Sequence, residues 1–281
     1  MKFDRKEKPT WCPGCGNFGI QQSLKQAFTE LKLEPHNIVM CSGIGCSSNT
    51  PHWINVYGFH TIHGRGLTVA TGVHLSNTDL TVIVDAGDGD TLAIGSAHFL
   101  HAAKRNMNIT LLIHNNQIYG LTKGQTSPTS ERGFVTKSTP HGNIEDPVNI
   151  IELSIAAGAT FVARSYSGNV KHLTKTIKQA ITHKGFSVID VLQPCITLNK
   201  VNTYQYFQKR VYDINNTNYK TNDKHLAYKK CQEWGNKIPL GVFYQTKKLT
   251  YADQLPQISK KPLVKQDISN VNIDKIINSL K

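Results

Sequence analysis

Residues 87–90 combine two carboxylates with two glycines, and an Asn-Asn pair follows at Asn115 and Asn116. Mg2+ prefers hard oxygen ligands such as carboxylate and amide oxygens, and it usually keeps phosphate oxygens in its octahedral shell. Gly87 and Gly89 would let the backbone approach such phosphates closely. A Gly-Asp-Gly tripeptide alone is typical of any turn, but together with the Asn pair it predicts a site for a magnesium diphosphate.

The elements on either side of this motif must position it. Residues 81–85 form a short β-branched run that predicts a buried parallel strand, residues 91–104 predict a helix, and residues 109–114 predict the next strand. A right-handed crossover places both strand ends on one edge of the sheet. Asp88 and Asn116 are then expected to face each other, and the helix start adds free N–H groups for the diphosphate.

Cysteines supply a second group of possible ligands. Cys12 and Cys15 lie on one tight turn, and Cys46 and Cys195 are the best candidates to complete a set of four. Such a set suits an iron–sulfur cluster or a structural zinc ion, and spacing alone does not separate the two. The diphosphate motif favours iron–sulfur. Cys41 and Cys231 are expected to be free structural thiols.

Several motifs together identify a family. The Gly-Asp-Gly motif with its downstream Asn pair resembles the thiamine diphosphate motif. Five further segments resemble the β subunit of a 2-oxoacid:ferredoxin oxidoreductase, and the match runs in order from about Lys8 to Cys195. These segments are residues 11–16 (WCPGCG), 42–47 (SGIGCS), 63–65 (HGR), 119–125 (YGLTKGQ) and 192–195 (LQPC).

The resemblance implies roles for particular residues. It implies that Asp88 and Asn116 bind Mg2+ through their side chains and Ile118 through its carbonyl oxygen. The four cysteines Cys12, Cys15, Cys46 and Cys195 would hold a [4Fe-4S] cluster. Thiamine diphosphate would contact two groups of residues, namely Ile44, Gly45, Cys46 and Ser47 in one loop and Gly89, Asp90, Gly120 and Leu121 at the diphosphate end.

The resemblance also implies a reaction. Thiamine diphosphate acts as an electron sink when a 2-oxoacid loses CO2, the cluster would pass electrons singly to ferredoxin, and coenzyme A would take the acyl group. The glutamate that activates the cofactor is not recognisable here. In the family it belongs to the partner α subunit, or to α fused to γ, so this chain is expected to be half of an active site. Heterodimer and dimer of heterodimers both remain open.

The sequence gives weaker evidence for a functional role of four other residues near these motifs. His63 and Arg65 occur in a glycine-rich turn, and we leave both out of the catalytic set. Lys123 lies in a flexible loop, where it could attract a substrate carboxylate. Asn49 stands where many relatives carry a basic residue, so the substrate range is open. The long segment 120–146 has no clear periodicity, which is typical of a functional loop.

Composition indicates one main globular domain. The chain has 281 residues and 39% hydrophobic content. Alternating strand and helix patterns predict an α/β fold with a mostly parallel sheet flanked by helices, the thiamine diphosphate-binding fold, with a C-terminal extension. We assign residues 1–199 to the cofactor-binding domain. Residues 200–281 form a basic extension that would contact the partner subunit.

Charge is concentrated in that extension. Residues 200–281 hold 15 Lys or Arg against six Asp or Glu, which supplies +9 of the net charge of +13. Such a segment can steer acidic partners, or simply be solvated. No recognised nucleic-acid-binding motif accompanies this charge, so we expect no nucleic acid as partner. With six cysteines, and neither a leader nor a membrane-spanning run recognised, we expect a reduced cytoplasmic setting and no membrane association.

Two alternatives remain from the residues alone. A non-oxidative thiamine diphosphate-dependent decarboxylase or carboligase would share the Mg2+ motif without needing four placed cysteines. The other alternative, from a different class, is a basic nucleic-acid-binding protein with a zinc-stabilised fold. Within the resembled family, neither the particular 2-oxoacid nor the direction of reaction in the cell follows from this chain.

Overall fold

Eight strands form a single sheet in a computed structural model that describes residues 2–269 and 272–281. The strands are β1 Ile38–Ser42, β2 Tyr57–His60, β3 Thr81–Gly87, β4 Thr110–Asn115, β5 Phe161–Tyr166, β6 Ser187–Leu192, β7 Val211–Asp213 and β8 Ile238–Gln245. Their order is β2-β1-β3-β4-β6-β5-β8-β7. All neighbours are parallel except β5 and β8, which confirms the mostly parallel sheet predicted from the sequence.

Helices cover both faces of this sheet. The helices are α1 Asn17–Glu30, α2 Gly66–Ser76, α3 Ser96–Lys104, α4 Ile150–Ala157, α5 Val170–Thr182, α6 Tyr204–Gln208, α7 Lys224–Cys231 and α8 Ile273–Ser279, the last of which buries no side chain. Side chains alternate between the faces along each strand. Val82 and Val84 of β3 thus enter one apolar core with Phe99 of α3, whereas Ile83 enters another with Leu24 of α1. No helix within 2–269 or 272–281 has the length and apolar character to cross a bilayer.

The sequence places the strands well and one helix less well. The strand predicted at 81–85 runs on to Gly87. The helix predicted over 91–104 begins instead as a π-helical turn, Asp90–Ile94, and α3 starts only at Ser96. A side chain at Gly95 would meet the carbonyl oxygen of Asp90 at 2.5 Å, so the wide turn depends on a glycine there. Such turns inside helices are frequent at functional sites.

The last third of the chain completes the sheet. Strands β7 and β8 follow residue 199 and extend the β5 side of the sheet. The division at residue 199 stays a prediction. On the opposite side the chain passes from β1 to the edge strand β2 and then back to β3. In open α/β sheets the crevice at such a reversal, outside the carboxyl ends of the strands, is the usual place for a ligand.

Candidate active site

A cavity of about 470 Å3 lies at this crevice. The loop after β1, the loop after β3 and the loop after β4 all line it. Its lining contains every residue predicted to bind Mg2+ or the cofactor: Ile44, Gly45, Cys46, Ser47, Asp88, Gly89, Asp90, Asn116, Ile118, Gly120 and Leu121. The parallel register explains this, because it brings the ends of β1, β3 and β4 to one edge of the sheet.

Asp88 is the most buried of the predicted metal ligands. Its Oδ2 accepts hydrogen bonds from the hydroxyls of Ser127 and Thr129, at 2.6 and 2.5 Å. Burial raises the pKa of Asp88, and the two hydroxyls oppose that shift. A cation beside the carboxylate would favour its charged form. Asn116 and the backbone of Ile118 lie next to each other, with Asn116 Oδ1 accepting from the Ile118 N–H at 3.1 Å.

Asp90 has a different environment. Its Oδ1 accepts from the N–H groups of Ile44 and Gly64 and contacts His63 Nδ1, each at 2.8 Å. A side chain at Gly43 would meet this carboxylate at 2.1 Å, so glycine is required for the contact. Asp90 therefore joins the loop after β1 to the turn that contains His63. His63 itself lines the cavity, although the sequence analysis leaves it out of the catalytic set.

Tyr119 is a cavity residue that sequence reasoning missed. Its ring lies over the backbone of Gly89, where an added Cβ would meet the ring at 2.2 Å. Its hydroxyl donates to the carbonyl oxygen of Gly89 at 3.3 Å. The second glycine of the motif thus has two uses, since it leaves room for phosphates and also for this ring. The motif 119–125 contains Tyr119, but nothing in the spacing indicated this contact.

The four predicted cluster cysteines lie in one region beside the cavity. The pKa of Cys15 is raised to about 12 by burial first, with smaller effects from Cys195, Cys46 and Cys12. Burial, Cys195 and Cys12 likewise raise the pKa of Cys46. A Cβ at Gly120 would lie 3.5 Å from the sulfur of Cys46 and 3.8 Å from that of Cys195. Buried thiols so close together ionise most readily when a metal ion or cluster iron binds the sulfur and the proton is released to solvent.

The side chains at the cavity are of the types that bind Mg2+ with a diphosphate and an iron–sulfur cluster. They do not form a preassembled site for a single metal ion. Across the described ranges, no three His, Cys, Asp or Glu side chains are grouped as ligands of a single metal ion. The predicted Mg2+ set includes only one carboxylate, and each cysteine of a cluster binds a different iron. The donor types therefore agree with Mg2+ held largely by a diphosphate, and four cysteines agree with an iron–sulfur cluster or a structural zinc ion.

Lys123 and the two remaining cysteines lie outside the cavity lining in the described part of the chain. Lys123 is exposed, and its charge lowers the pKa of Cys46 slightly against the larger effect of burial. A role for Lys123 with substrate stays a prediction. Cys41 and Cys231 are buried and free, Cys41 within β1. Asn49 donates to the Gly45 carbonyl oxygen at 3.3 Å and so supports the cavity loop.

Beneath the cavity, a buried polar bridge connects three elements. His114 on β4 contacts Asp85 Oδ1 on β3 through Nε2 at 2.7 Å, and Asn17 Oδ1 at the start of α1 through Nδ1 at 2.8 Å. All three side chains are almost completely buried. This bridge fixes the start of α1, which directly follows the Cys12–Cys15 turn, against the strands that carry Asp88 and Asn116.

Two family models match consecutive parts of this chain. The family model for the C-terminal thiamine pyrophosphate-binding domain of thiamine pyrophosphate enzymes matches residues 39–191. The model for the C-terminal part of the pyruvate ferredoxin oxidoreductase β subunit matches residues 195–260. Fold and cavity together thus define the chain as a thiamine diphosphate-binding enzyme subunit.

Individual relatives define it further. The chain is 52% identical to the β subunit of 2-oxoacid:ferredoxin oxidoreductase 1 of Aeropyrum pernix, over 88% of this chain and 81% of that one. It is 35% identical to the 2-oxoglutarate synthase subunit KorB of Methanocaldococcus jannaschii, over 93% and 97%. The chain belongs to the β subunits of 2-oxoacid:ferredoxin oxidoreductases, which confirms the family predicted from the sequence and implies an α partner subunit.

A solved structure shows the same fold. It is described as 2-oxoglutarate:ferredoxin oxidoreductase from Magnetococcus marinus with 2-oxoglutarate, coenzyme A and succinyl-CoA bound. The TM-score is 0.92 at 37% identity, and the match covers all of this chain and 96% of the other. This agreement confirms the predicted fold class over the whole chain, including the part after residue 199.

Proposed function

We propose that this chain and an α subunit together convert a 2-oxoacid, coenzyme A and oxidised ferredoxin into acyl-CoA, CO2 and reduced ferredoxin. Thiamine diphosphate, when bound, would supply the nucleophilic carbon and the electron sink for decarboxylation. The observation that carries the proposal is the single cavity at the ends of β1, β3 and β4, lined by every predicted Mg2+ and cofactor residue, with the four cysteines beside it.

Within this cavity the residues would have distinct tasks. Asp88, Asn116 and the Ile118 carbonyl oxygen would hold Mg2+, and Ser127 and Thr129 would keep the Asp88 carboxylate in place. Gly89, Gly120 and Leu121 would lie against the diphosphate. Asp90 would act mainly by holding the loop Ile44–Ser47 against the cofactor, since its Oδ1 is occupied by three donors.

The cysteines would hold a [4Fe-4S] cluster as the one-electron acceptor. The position of Cys46 supports the proposal that cluster and cofactor lie close together, because Cys46 lines the cavity and also neighbours Cys195 and Cys12. Oxidation of the 2-oxoacid releases two electrons, which would leave one at a time through the cluster to ferredoxin. Cys12 is exposed, which supports an exit for electrons at that turn.

The activating glutamate would come from the α subunit. The acidic residues that line the cavity within the described chain are Asp88 and Asp90, and both are engaged as described above. Apolar side chains near the cavity, Ile62, Ile94 and Leu121, are about half or more exposed. Exposed apolar groups of this kind are typical of a partner-binding surface, which supports an α subunit that covers the cavity mouth.

The test is anaerobic co-purification with the α subunit, followed by iron, sulfide and thiamine diphosphate analysis. We expect about four irons per β chain, bound cofactor, and dye or ferredoxin reduction that needs both a 2-oxoacid and coenzyme A. Comparing 2-oxoglutarate with pyruvate would rank the substrates. Bound thiamine diphosphate with zinc or no metal would refute the oxidative proposal and favour a non-oxidative enzyme.

A further inference from the structure

Gln193 lies directly after β6, and its buried side chain contacts both the Pro194 carbonyl group and the Cys15 sulfur. Its Nε2 is 2.8 Å from the carbonyl oxygen of Pro194 and 3.5 Å from the sulfur of Cys15. The Pro194 carbonyl only accepts, so the amide nitrogen and not the amide oxygen must face it. The same nitrogen has a second hydrogen, and this one is available to the Cys15 sulfur.

The surroundings hold the amide in this position. The Gln193 N–H donates to the Asn115 carbonyl oxygen at 3.0 Å, which fixes the backbone at the end of β4. The Gly16 N–H donates to the Pro194 carbonyl oxygen at 3.1 Å. A Cβ at Gly16 would meet Cγ of Gln193 at 2.8 Å, so glycine at this position leaves the room that the glutamine occupies. The donor is therefore fixed against the sulfur before any cluster binds.

This contact is unusual among the four cysteines. Within residues 2–269 and 272–281, Gln193 provides the one side-chain N–H that donates to any of them. Hydrogen bonds to ligand sulfurs are among the factors that set the reduction potential of an iron–sulfur cluster. Reduction adds negative charge that spreads onto the sulfurs, so an N–H donor stabilises the reduced form more than the oxidised form.

We propose that Gln193 raises the reduction potential of the cluster through its hydrogen bond to Cys15. The inference rests on the proposed function, because it requires the cluster. Gln193 acts through Cys15 and is a positioning residue, not a catalytic one. A higher potential makes the cluster a better acceptor for electrons from the 2-oxoacid and a weaker donor to ferredoxin, so this side chain sets the balance between the two transfers.

The experiment is a redox titration of the complete α/β complex, followed by electron paramagnetic resonance of the reduced cluster. Gln193→Met removes the donor while keeping the length of the side chain. We expect the equilibrium constant for one-electron reduction of the cluster to fall about tenfold, which corresponds to a reduction potential lower by about 59 mV. Gln21→Met is the matched control, because the amide of Gln21 is also buried and donates to a carbonyl oxygen, that of Trp53. The control should keep the wild-type potential.

The outcomes separate the two proposals. A wild-type complex without iron refutes the proposed function before any variant is compared. A Gln193→Met complex with full iron content and an unchanged potential overturns the role of Gln193. If the variant loses its cluster, pulsed resonance on wild-type protein with 15N in the glutamine amides decides. A hyperfine coupling from that nitrogen to the reduced cluster supports the contact, and its absence overturns it.

Discussion

Asp88 and Cys46 line the same cavity, but different kinds of structure hold them. Asp88 follows β3 directly, and its position is set by the parallel pairing of β3 with β1 and β4. Cys46 lies in the loop after β1, and its carbonyl oxygen accepts from the Trp11 indole at 2.6 Å. The diphosphate end is thus built on strand ends, whereas the cysteine end depends on contacts between loops that are far apart in the sequence.

This difference indicates that the two ends can fail separately. Strand ends remain in place when one loop is disturbed, because backbone pairing and two apolar cores hold them. The cysteine region depends more on side-chain and loop contacts, and it gathers its ligands from residues 12, 15, 46 and 195. Substitutions at each end should therefore remove one cofactor and leave the other, and the predictions below test this separation.

The largest effect is expected for Cys195→Ala. Removal of one of four thiolates should bring the iron content well below about four per chain and abolish the [4Fe-4S] signal. Thiamine diphosphate binding should persist, because the Asp88 end is unchanged. The measurements are iron analysis and calorimetric titration with thiamine diphosphate. Cys41→Ala is the control, since Cys41 is buried in β1 and should leave the iron content unchanged. Equal iron loss in both variants would contradict the assignment.

Asp88→Ala should give the converse result. Loss of a side chain that only hydrogen-bonds to a metal ligand typically costs about 10-fold to 100-fold in metal affinity, so we expect removal of the ligand itself to weaken Mg2+-dependent thiamine diphosphate binding by more than about 100-fold. Iron content should be retained. Titration with thiamine diphosphate at fixed Mg2+ measures the effect. The control is Asp79→Ala, where an exposed aspartate is paired with Lys265 at 2.6 Å. Retained binding in Asp88→Ala would disprove the ligand assignment.

A smaller effect is expected for Thr129→Val, which keeps the side-chain shape but removes a hydroxyl donor to Asp88. Loss of such support should weaken Mg2+ binding about 10-fold to 100-fold, again without loss of iron. The Mg2+ dependence of thiamine diphosphate binding is the measurement. Thr126→Val in the same loop is matched, because the Thr126 hydroxyl contacts Ser138 and not Asp88. Identical Mg2+ dependence in the two variants would show that the Thr129 hydroxyl does not support the site.

The difference between the two ends also explains what could be predicted from the sequence. Asp88 and Asn116 follow strands whose patterns are clear, so parallel topology alone places them together. Segment 120–146 was predicted to be functional for its length. The contacts of Ser127 and Thr129 with Asp88 depend on the path of that loop, which has no periodicity to indicate it. For Asp90 the sequence predicts only contact with the diphosphate. The hydrogen bond from the Gly64 N–H to the Asp90 carboxylate joins two distant segments, and no local pattern indicates it.

The smallest effect is expected for Trp11→Phe, at the cysteine end. This change keeps an aromatic ring and removes the N–H that donates to Cys46, which leaves a carbonyl oxygen without its partner at a cost of about 1–3 kcal/mol. The cluster should still assemble, but an iron chelator should remove it several-fold faster than from the wild-type protein. Trp53→Phe is the matched control, because the buried Trp53 N–H has no hydrogen-bond partner among the described residues. If both variants lose iron at the wild-type rate, the loop contact at Trp11 does not hold the cluster, and the contrast between the two ends would then rest on the cysteines alone.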